Sequence, residues 1–241
     1  MSKREPPNVA QPVVQKVRIR YIKSGPMRFA SHRDFQRALE RAVSRSGLPI
    51  AFSGGFNPHP RISYANAAPT GTASNAEYVE LGLKEAVDVA AVASVLTPTL
   101  PHGFSIAESH LAQPGPLAER LRVSEWLIEL TGTTAAELDA SLTILATQPG
   151  ITVDRMTKNG LRPISVGESW VSATTHASLA GADLRVISRH MIPTVRPEDI
   201  VNGLVAHAQL PKPAAARYTR LAQGSLLADG SVGDPLAPVQ T

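Results

Sequence analysis

The sequence predicts an α+β protein made of two ferredoxin-like halves, each with βαββαβ order and an antiparallel sheet that carries its helices on one face. Three observations predict this class. Apolar residues at alternating positions indicate strands, apolar residues at helical spacing indicate helices, and the two kinds follow each other in a similar order twice. A turn-rich linker, Gln113-Pro114-Gly115-Pro116, separates the two series. With 241 residues, 43% of them hydrophobic, the chain is long enough to bury a core in each half.

The first series of elements has the order βαββαβ. It begins with a strand over 14–22, in which apolar and basic residues alternate. A helix follows, with Ser31 opening a capping box and Gly47 marking the stop. The remaining elements are strands over 62–68 and 76–84, a helix over 87–96 and a strand over 103–111. This is the ferredoxin-like split motif.

The second series is one strand longer than a clean repeat. We expect strands over 122–130, 151–156, 169–174, 184–189 and 214–221, and helices over 134–146 and 197–207. The expected division of the chain is a disordered arm over 1–13, an N-terminal ferredoxin-like domain over 14–112, a linker over 113–120, a C-terminal ferredoxin-like domain over 121–222 and a loose tail over 223–241.

Composition narrows the class of protein. No apolar run approaches the roughly 20 residues that a membrane-spanning helix needs, and the charged, proline-rich start does not resemble a signal peptide. Cysteine is absent, which excludes disulfides, thiolate metal sites and a cysteine nucleophile. The histidines lack the spacing of a zinc site, and the nucleotide-binding and serine-hydrolase motifs are missing. We therefore expect a cytoplasmic protein that has no membrane partner and holds no metal or cofactor.

Positive charge is concentrated in one part of the chain. The net charge is only +4, but residues 16–61 contain ten basic side chains against two acids, Asp34 and Glu40. Four of the basic residues recur every four positions on the exposed side of the first helix: Arg33, Arg37, Arg41 and Arg45. A basic excess confined to one element is typical of a protein that binds RNA or another polyanion. A solvated helix face is the ordinary alternative.

A stiff loop over 53–61 follows this helix. Pro58 and Pro60 each remove a backbone donor and favour extended geometry at the preceding residue. On such a loop Phe56 is suited to stacking on a base, and Asn57 to reading a base edge. Packing of the Phe56 ring under its own loop is the alternative. The candidate substrate-binding residues are Arg33, Arg37, Arg41, Phe56, Asn57, His59, Arg61, Lys158 and Arg162.

Two histidines form a candidate catalytic pair. His32 stands at the start of the helix and His59 on the loop. Because imidazole titrates near neutral pH, such a pair can act as acid and base when RNA is cleaved at a 2′-hydroxyl. The ordinary alternative is that His32 supports the helix cap and His59 is a polar loop residue.

Three stretches together resemble a known family. They are F-A-S-H-R-D-F-x-R-A-L-E-R-A from Phe29, G-L-P-x-A-F-S-x-G-F-N-P-H-P-R-I-S-Y from Gly47, and A-E-Y-V-E-L from Ala76. They are similar to the bacterial radical-SAM-associated family of largely uncharacterised proteins, and the resemblance spans roughly residues 15–222. Members of that family stand beside, or are fused to, a radical SAM protein, so the resemblance implies such a protein as partner.

The absence of cysteine limits what the chain contributes to that partnership. A radical SAM enzyme holds its iron–sulfur cluster with cysteine thiolates, and this chain has none. We therefore expect an accessory protein to a radical SAM enzyme, which binds RNA or a nucleotide-like anionic substrate through the basic helix and the loop. The alternatives are a metal-independent ribonuclease using His32 and His59, and a purely protein-binding adaptor whose basic helix faces an acidic partner.

Overall fold

The computed structural model describes residues 7–148, 150–158 and 160–238. Within these residues the protein is of the α+β class, with antiparallel strand pairs and a few helices, and this part of the predicted fold class is confirmed. The chain separates into two compact units. One holds the residues up to Glu119 together with the segment from Leu236, and the other holds Arg120–Pro235.

The N-terminal unit is built on an antiparallel sheet. Its elements are β1 Gln15–Lys23, α1 His32–Ser46, β2 Ile62–Ala65, β3 Ala73–Leu83, α2 Ala91–Leu96 and β4 Phe104–Leu111. Short 3-10 turns lie at Gly25–Phe29, Thr97–Thr99 and Leu117–Arg120. The four strands pair in the order β4-β1-β3-β2. The predicted sequence of elements is therefore present, with bounds that differ by a few residues.

Both helices cover the same face of this sheet. Alternation along β1 turns Val17 and Ile19 toward the helices, where they join one buried cluster with Leu39 of α1 and Leu96 of α2. The basic residues between the apolar positions of β1 therefore point to the opposite, helix-free face. The sheet thus presents two chemically different faces.

The C-terminal unit also contains antiparallel strands. Its elements are β5 Val123–Thr131, α3 Ala135–Ala146, β6 Thr152–Thr157, β7 Gly160–Ser165, α4 Val166–Ser169, β8 Trp170–Ser178, β9 Gly181–Arg189, α5 Pro197–His207 and β10 Ala215–Gly224. Four strands pair in the order β10-β5-β9-β8, while β6 and β7 form a separate two-stranded sheet.

The extra strand of the second series belongs to the β6–β7 hairpin. The pattern predicts a strand over 151–156 and none over 160–165, and the structure pairs these two segments, with Val153 opposite Ile164. Both side chains are buried in a cluster that also contains Leu204 of α5. The hairpin therefore adds side chains to the core without adding strands to the four-stranded sheet.

The segment before β1 is hydrogen-bonded to the loop that follows α1. Of the arm expected over 1–13, residues 1–6 lie outside the described residues. In the remainder, the Gln11 amide donates to the Phe52 carbonyl oxygen at 3.0 Å, and the Val14 amide donates to the Leu83 carbonyl oxygen at 2.8 Å.

The segment after β10 forms a tight turn. Leu226 and Val232 make an antiparallel bridge, and the Leu227 amide donates to the Ser231 carbonyl oxygen at 2.9 Å. These residues fall in the tail expected over 223–241, whose last three residues lie outside the part of the chain that the structure describes.

Candidate functional site

Helix α1 begins at a complete capping box. The Asp34 amide donates to Ser31 Oγ at 3.3 Å, and Asp34 Oδ2 accepts from the Ser31 amide at 2.9 Å and from the Ser31 hydroxyl at 2.7 Å. These hydrogen bonds lower the pKa of the Asp34 carboxyl below its ordinary value. At the other end, Gly47 adopts the left-handed conformation with a φ of 73°, which glycine reaches without steric cost. The predicted start and stop of this helix are both confirmed.

The capped helix displays its arginines as a ridge on the solvent side. Apolar positions hold the opposite side against the sheet, where the Phe35 ring stacks on Tyr21 with ring centroids 3.9 Å apart. The ridge consists of the exposed side chains of Arg33, Arg37, Arg41 and Arg45. In the described part of the chain, none of the four forms an ion pair. A helix of 15 residues is about 22 Å long, so the ridge covers several phosphate spacings of a nucleic acid.

The loop after α1, which we call the FNPHP loop (residues 53–61), is closed by backbone hydrogen bonds. The Ser53 amide donates to the His59 carbonyl oxygen and the His59 amide donates to Ser53 Oγ, both at 2.9 Å. The N-terminal segment adds a second tie, since the Gly55 amide donates to the Asn8 carbonyl oxygen at 3.0 Å. A Cβ atom at Gly54 would lie 2.9 Å from the Ala10 backbone nitrogen, so this close approach requires glycine.

The closed loop holds its functional candidates in solvent. Phe56 is 58% exposed. This exposure excludes the alternative in which its ring packs under its own loop. Asn57, His59 and Arg61 are exposed as well. The Arg61 amide donates to the Ala51 carbonyl oxygen at 2.8 Å, which fixes the end of the loop next to β3. The loop therefore displays an aromatic ring, an amide, an imidazole and a guanidinium group.

The structure does not bring the two candidate catalytic histidines into contact. The His32 ring packs edge-on against Tyr64, with centroids 5.2 Å apart. Desolvation and, more weakly, the Lys23 ammonium lower the pKa of His32, against an opposing effect of the Glu77 carboxylate. His59 takes no part in these interactions. The two rings therefore share no ring contact or hydrogen bond, and their joint action on RNA stays a prediction.

The remaining candidate substrate-binding residues are at the β6–β7 hairpin of the C-terminal unit. Lys158 and Arg162 are exposed there, whereas Asn159 lies outside the described residues. Two further arginines in this unit are engaged. Arg155 Nη1 contacts Asp199 Oδ2 at 2.7 Å, and the buried Arg220 guanidinium lies 4.6 Å from the centre of the Trp126 ring.

One cluster was not anticipated as a site. Lys16, Arg18 and Glu80 meet on the helix-free face of the N-terminal sheet, beside a cavity of about 660 Å³. The only signal in the sequence is the basic alternation of β1, which is equally typical of a solvated strand face. Within the residues that the structure describes, no group of three or more His, Asp or Glu side chains is placed to hold a metal ion.

Comparison with known proteins places the chain in a family. The model of a family described as "Uncharacterized protein conserved in bacteria (DUF2344)" matches residues 16–197, more than half of the chain. None of the curated proteins matches it significantly. The crystal structure of an unknown protein from Galdieria sulphuraria is similar at 12% identity, over 86% of this chain and 96% of that chain, with a TM-score of 0.25 that assigns no fold. The helices described are all too short or too polar to cross a membrane. The chain belongs to the DUF2344 family of uncharacterised proteins conserved in bacteria.

Proposed function

We propose that this protein binds RNA, or a nucleotide-like anionic substrate, through the α1 ridge and the FNPHP loop, and that it serves as an accessory to a radical SAM enzyme. The observation that carries the proposal is the ridge itself. Four guanidinium groups are exposed along one helix, and no carboxylate in the described part of the chain pairs with them. The Arg45 group also donates to the Thr99 carbonyl oxygen, so Arg33, Arg37 and Arg41 provide the main contacts. Exposed guanidinium groups without acidic partners are available to phosphates.

The FNPHP loop adds contacts that phosphate binding alone does not supply. An aromatic ring in solvent offers a flat surface on which a base stacks, and Phe56 is such a ring. Asn57 provides both a donor and an acceptor for a base edge. Because the loop is already closed by hydrogen bonds, it loses little conformational entropy when it binds.

The radical SAM partner rests on the resemblance of the three motif stretches. The helix and the loop that form the proposed surface lie within two of those stretches, so several of the residues that carry the resemblance also carry the proposed binding chemistry. The third stretch lies in β3, whose buried core side chains support the sheet beneath α1. Lys158 and Arg162 are proposed as additional phosphate contacts in the other unit.

We further propose that each unit is ferredoxin-like. Strand order β4-β1-β3-β2 with βαββαβ connectivity supports this for the N-terminal unit. In the C-terminal unit the order β10-β5-β9-β8 has the same pattern once the β6–β7 hairpin and α4 are treated as an insertion.

Charge reversal on the ridge tests the binding proposal. Arg37→Glu combined with Arg41→Glu is expected to weaken binding of a short structured RNA and to flatten its salt dependence, because fewer counterions are released from the phosphates. Fluorescence anisotropy over a series of salt concentrations measures both quantities.

The matched control has the same change in net charge at two exposed lysines elsewhere, Lys84→Glu combined with Lys212→Glu. It is expected to weaken binding far less than the ridge variant. RNA affinity that stays flat from low to moderate salt in the unmodified protein would contradict the proposal. Equal losses in the two double variants would show a diffuse charge effect in place of a site.

A further inference from the structure

Arg18 is a buried cation with one part of its guanidinium group unused. Only 2% of the residue is exposed. Its Nε donates to Glu80 Oε2 at 2.9 Å, and its Nη2 donates to the carbonyl oxygen of Gly115 in the linker. Its Nη1 is shielded from water and has no hydrogen-bond partner among the described residues. A buried N–H group without an acceptor is unfavourable, and such groups are uncommon in folded proteins.

Arg18 lines the cavity of about 660 Å³ that lies between the helix-free face and the linker. Strands β1, β2 and β3 provide one wall, and residues 112–118 provide the other. Cavities of about 300–1,000 Å³ are typical of small-molecule sites. The linker wall is largely apolar, with Pro114, Pro116 and Leu117, while Arg18 and Lys16 provide polar groups at the strand wall.

The charges around this cavity do not cancel. Lys16 Nζ lies 2.9 Å from Glu80 Oε1, so both cations share one carboxylate. Burial acts to raise the pKa of Glu80, but the hydrogen bonds from Lys16 and Arg18 outweigh it and leave this pKa below the ordinary value. The carboxylate is therefore ionised at neutral pH, and two positive charges face one negative charge.

We propose that this cavity binds a small-molecule anion, whose phosphate or carboxylate oxygens accept hydrogen bonds from Arg18 and Lys16. With a small rotation of the guanidinium group toward the cavity, an acceptor oxygen would satisfy the unused Nη1 group of Arg18, and the anion would balance the remaining positive charge. The rest of the ligand would lie against the proline-rich linker wall.

This site is distinct from the RNA surface proposed above. Lys16 and Arg18 alternate along β1 with the residues that face α1, so the cavity and the α1 ridge lie on opposite faces of the N-terminal sheet. None of the ridge or FNPHP-loop residues lines the cavity. Each of the two proposals can therefore be tested and rejected independently of the other.

Calorimetric titration of the 241-residue chain, in a buffer without phosphate, tests the proposal with two probes. Ribose 5-phosphate represents phosphate esters, and succinate represents carboxylates. One site per chain is expected for at least one probe, and the tighter probe identifies the head group. Lys16→Ala should weaken binding about tenfold through loss of a charge-assisted hydrogen bond.

Lys84→Ala, which removes another exposed lysine, should leave the affinity unchanged. Arg18→Lys should abolish saturable binding, provided that its circular dichroism and melting curve match those of the unmodified protein. If that variant does not fold, Lys16→Ala decides the question. Absence of binding for both probes would overturn the proposal, as would full affinity in Lys16→Ala. Loss of binding in the Arg37→Glu, Arg41→Glu variant would also overturn it, because the anion would then occupy the ridge.

Discussion

Phe56 lies in a loop that is held in place by hydrogen bonds of other residues. The ring makes none of these hydrogen bonds, so its role can be tested apart from the shape of the loop. The sequence left two alternatives open for this ring, and its 58% exposure excludes packing under the loop. One of the ties joins Gly55 to Asn8, 47 positions earlier in the chain. Local sequence patterns do not reveal a contact of that range, so the exposure of Phe56 could not be predicted from the loop alone.

Phe56→Ala is expected to weaken RNA binding with little effect on folding. One base stacked on an aromatic side chain contributes about 1–3 kcal/mol to binding. A buried phenylalanine would instead cost about 3–5 kcal/mol of fold stability on truncation. Anisotropy titration and a thermal melt of the same variant measure both effects.

Phe29→Ala is the matched control for this substitution, because Phe29 is 62% exposed and lies outside the loop. It should leave both RNA affinity and melting temperature nearly unchanged. A large fall in the melting temperature of Phe56→Ala, with RNA binding intact, would show that the ring supports the fold and not the function.

For Arg18, the sequence pattern predicts the strand correctly but does not predict that the side chain is buried. The alternation of β1 predicts that Arg18 faces away from the helices, and it does. Its buried guanidinium group donates to Gly115, 97 positions later, in the linker segment that lines the same cavity. A strand pattern specifies which face a side chain occupies, but not what covers that face.

At the scale of elements, α1 was the most predictable because every signal for it is local. The apolar stripe, the capping box and the terminal glycine all lie between positions 31 and 47, and each takes the expected role. Strand β7 was missed for the converse reason. It contains Pro163 and buries only Ile164 fully, so the sequence shows no alternation, and the strand forms only by pairing with β6.

The cap of α1 yields a prediction about stability. Ser31→Ala removes the acceptor for the Asp34 amide and should lower the free energy of unfolding by about 1 kcal/mol. Ser44→Ala, an exposed position within the same helix, is the control and should be neutral or slightly stabilising, since alanine has the higher helix propensity. Urea denaturation measures both. Equal destabilisation by the two substitutions would show that the cap is not the source of the effect.

At the scale of the whole molecule, long-range pairing divides the basic residues into two groups. In the sequence alone, the ten basic residues between positions 16 and 61 form a single excess of positive charge. The structure pairs those of β1 with acids from distant strands, such as Arg18 with Glu80 and Arg20 with Glu108. The ridge arginines of α1 receive no such partner in the described residues. Counting charge within a sequence window therefore included the helix whose arginines form no ion pair among the described residues, but overstated the number of such arginines and lysines.

Acid sensitivity is a further whole-molecule property, and His190 in the C-terminal unit is its clearest source. Its Nδ1–H donates to the Leu121 carbonyl oxygen at 2.8 Å, and its Nε2 lies 2.7 Å from the buried Ser124 Oγ, which donates to it. Desolvation and the positive charge of Arg220 lower the pKa of His190 to about 4, although the Leu121 hydrogen bond opposes the shift. The folded protein therefore holds this imidazole neutral.

The sign of the pH dependence follows from this lowered pKa. In the unfolded chain His190 titrates near the ordinary pKa of about 6.5, so between about pH 6.5 and about pH 4 the unfolded chain binds a proton that the folded chain does not. The contribution to stability is complete above that window and is lost as the pH falls through it.

His190→Asn keeps a donor for the Leu121 carbonyl oxygen but removes the titrating group. The variant should therefore be less stable than the unmodified protein at about pH 7. Between about pH 7 and about pH 5 its free energy of unfolding should fall by less than that of the unmodified protein. Urea denaturation at each pH measures both quantities. His102→Asn, at an exposed position, should lose as much as the unmodified protein. If His190→Asn and the unmodified protein lose the same amount, the acid limb of the stability curve arises elsewhere in the molecule.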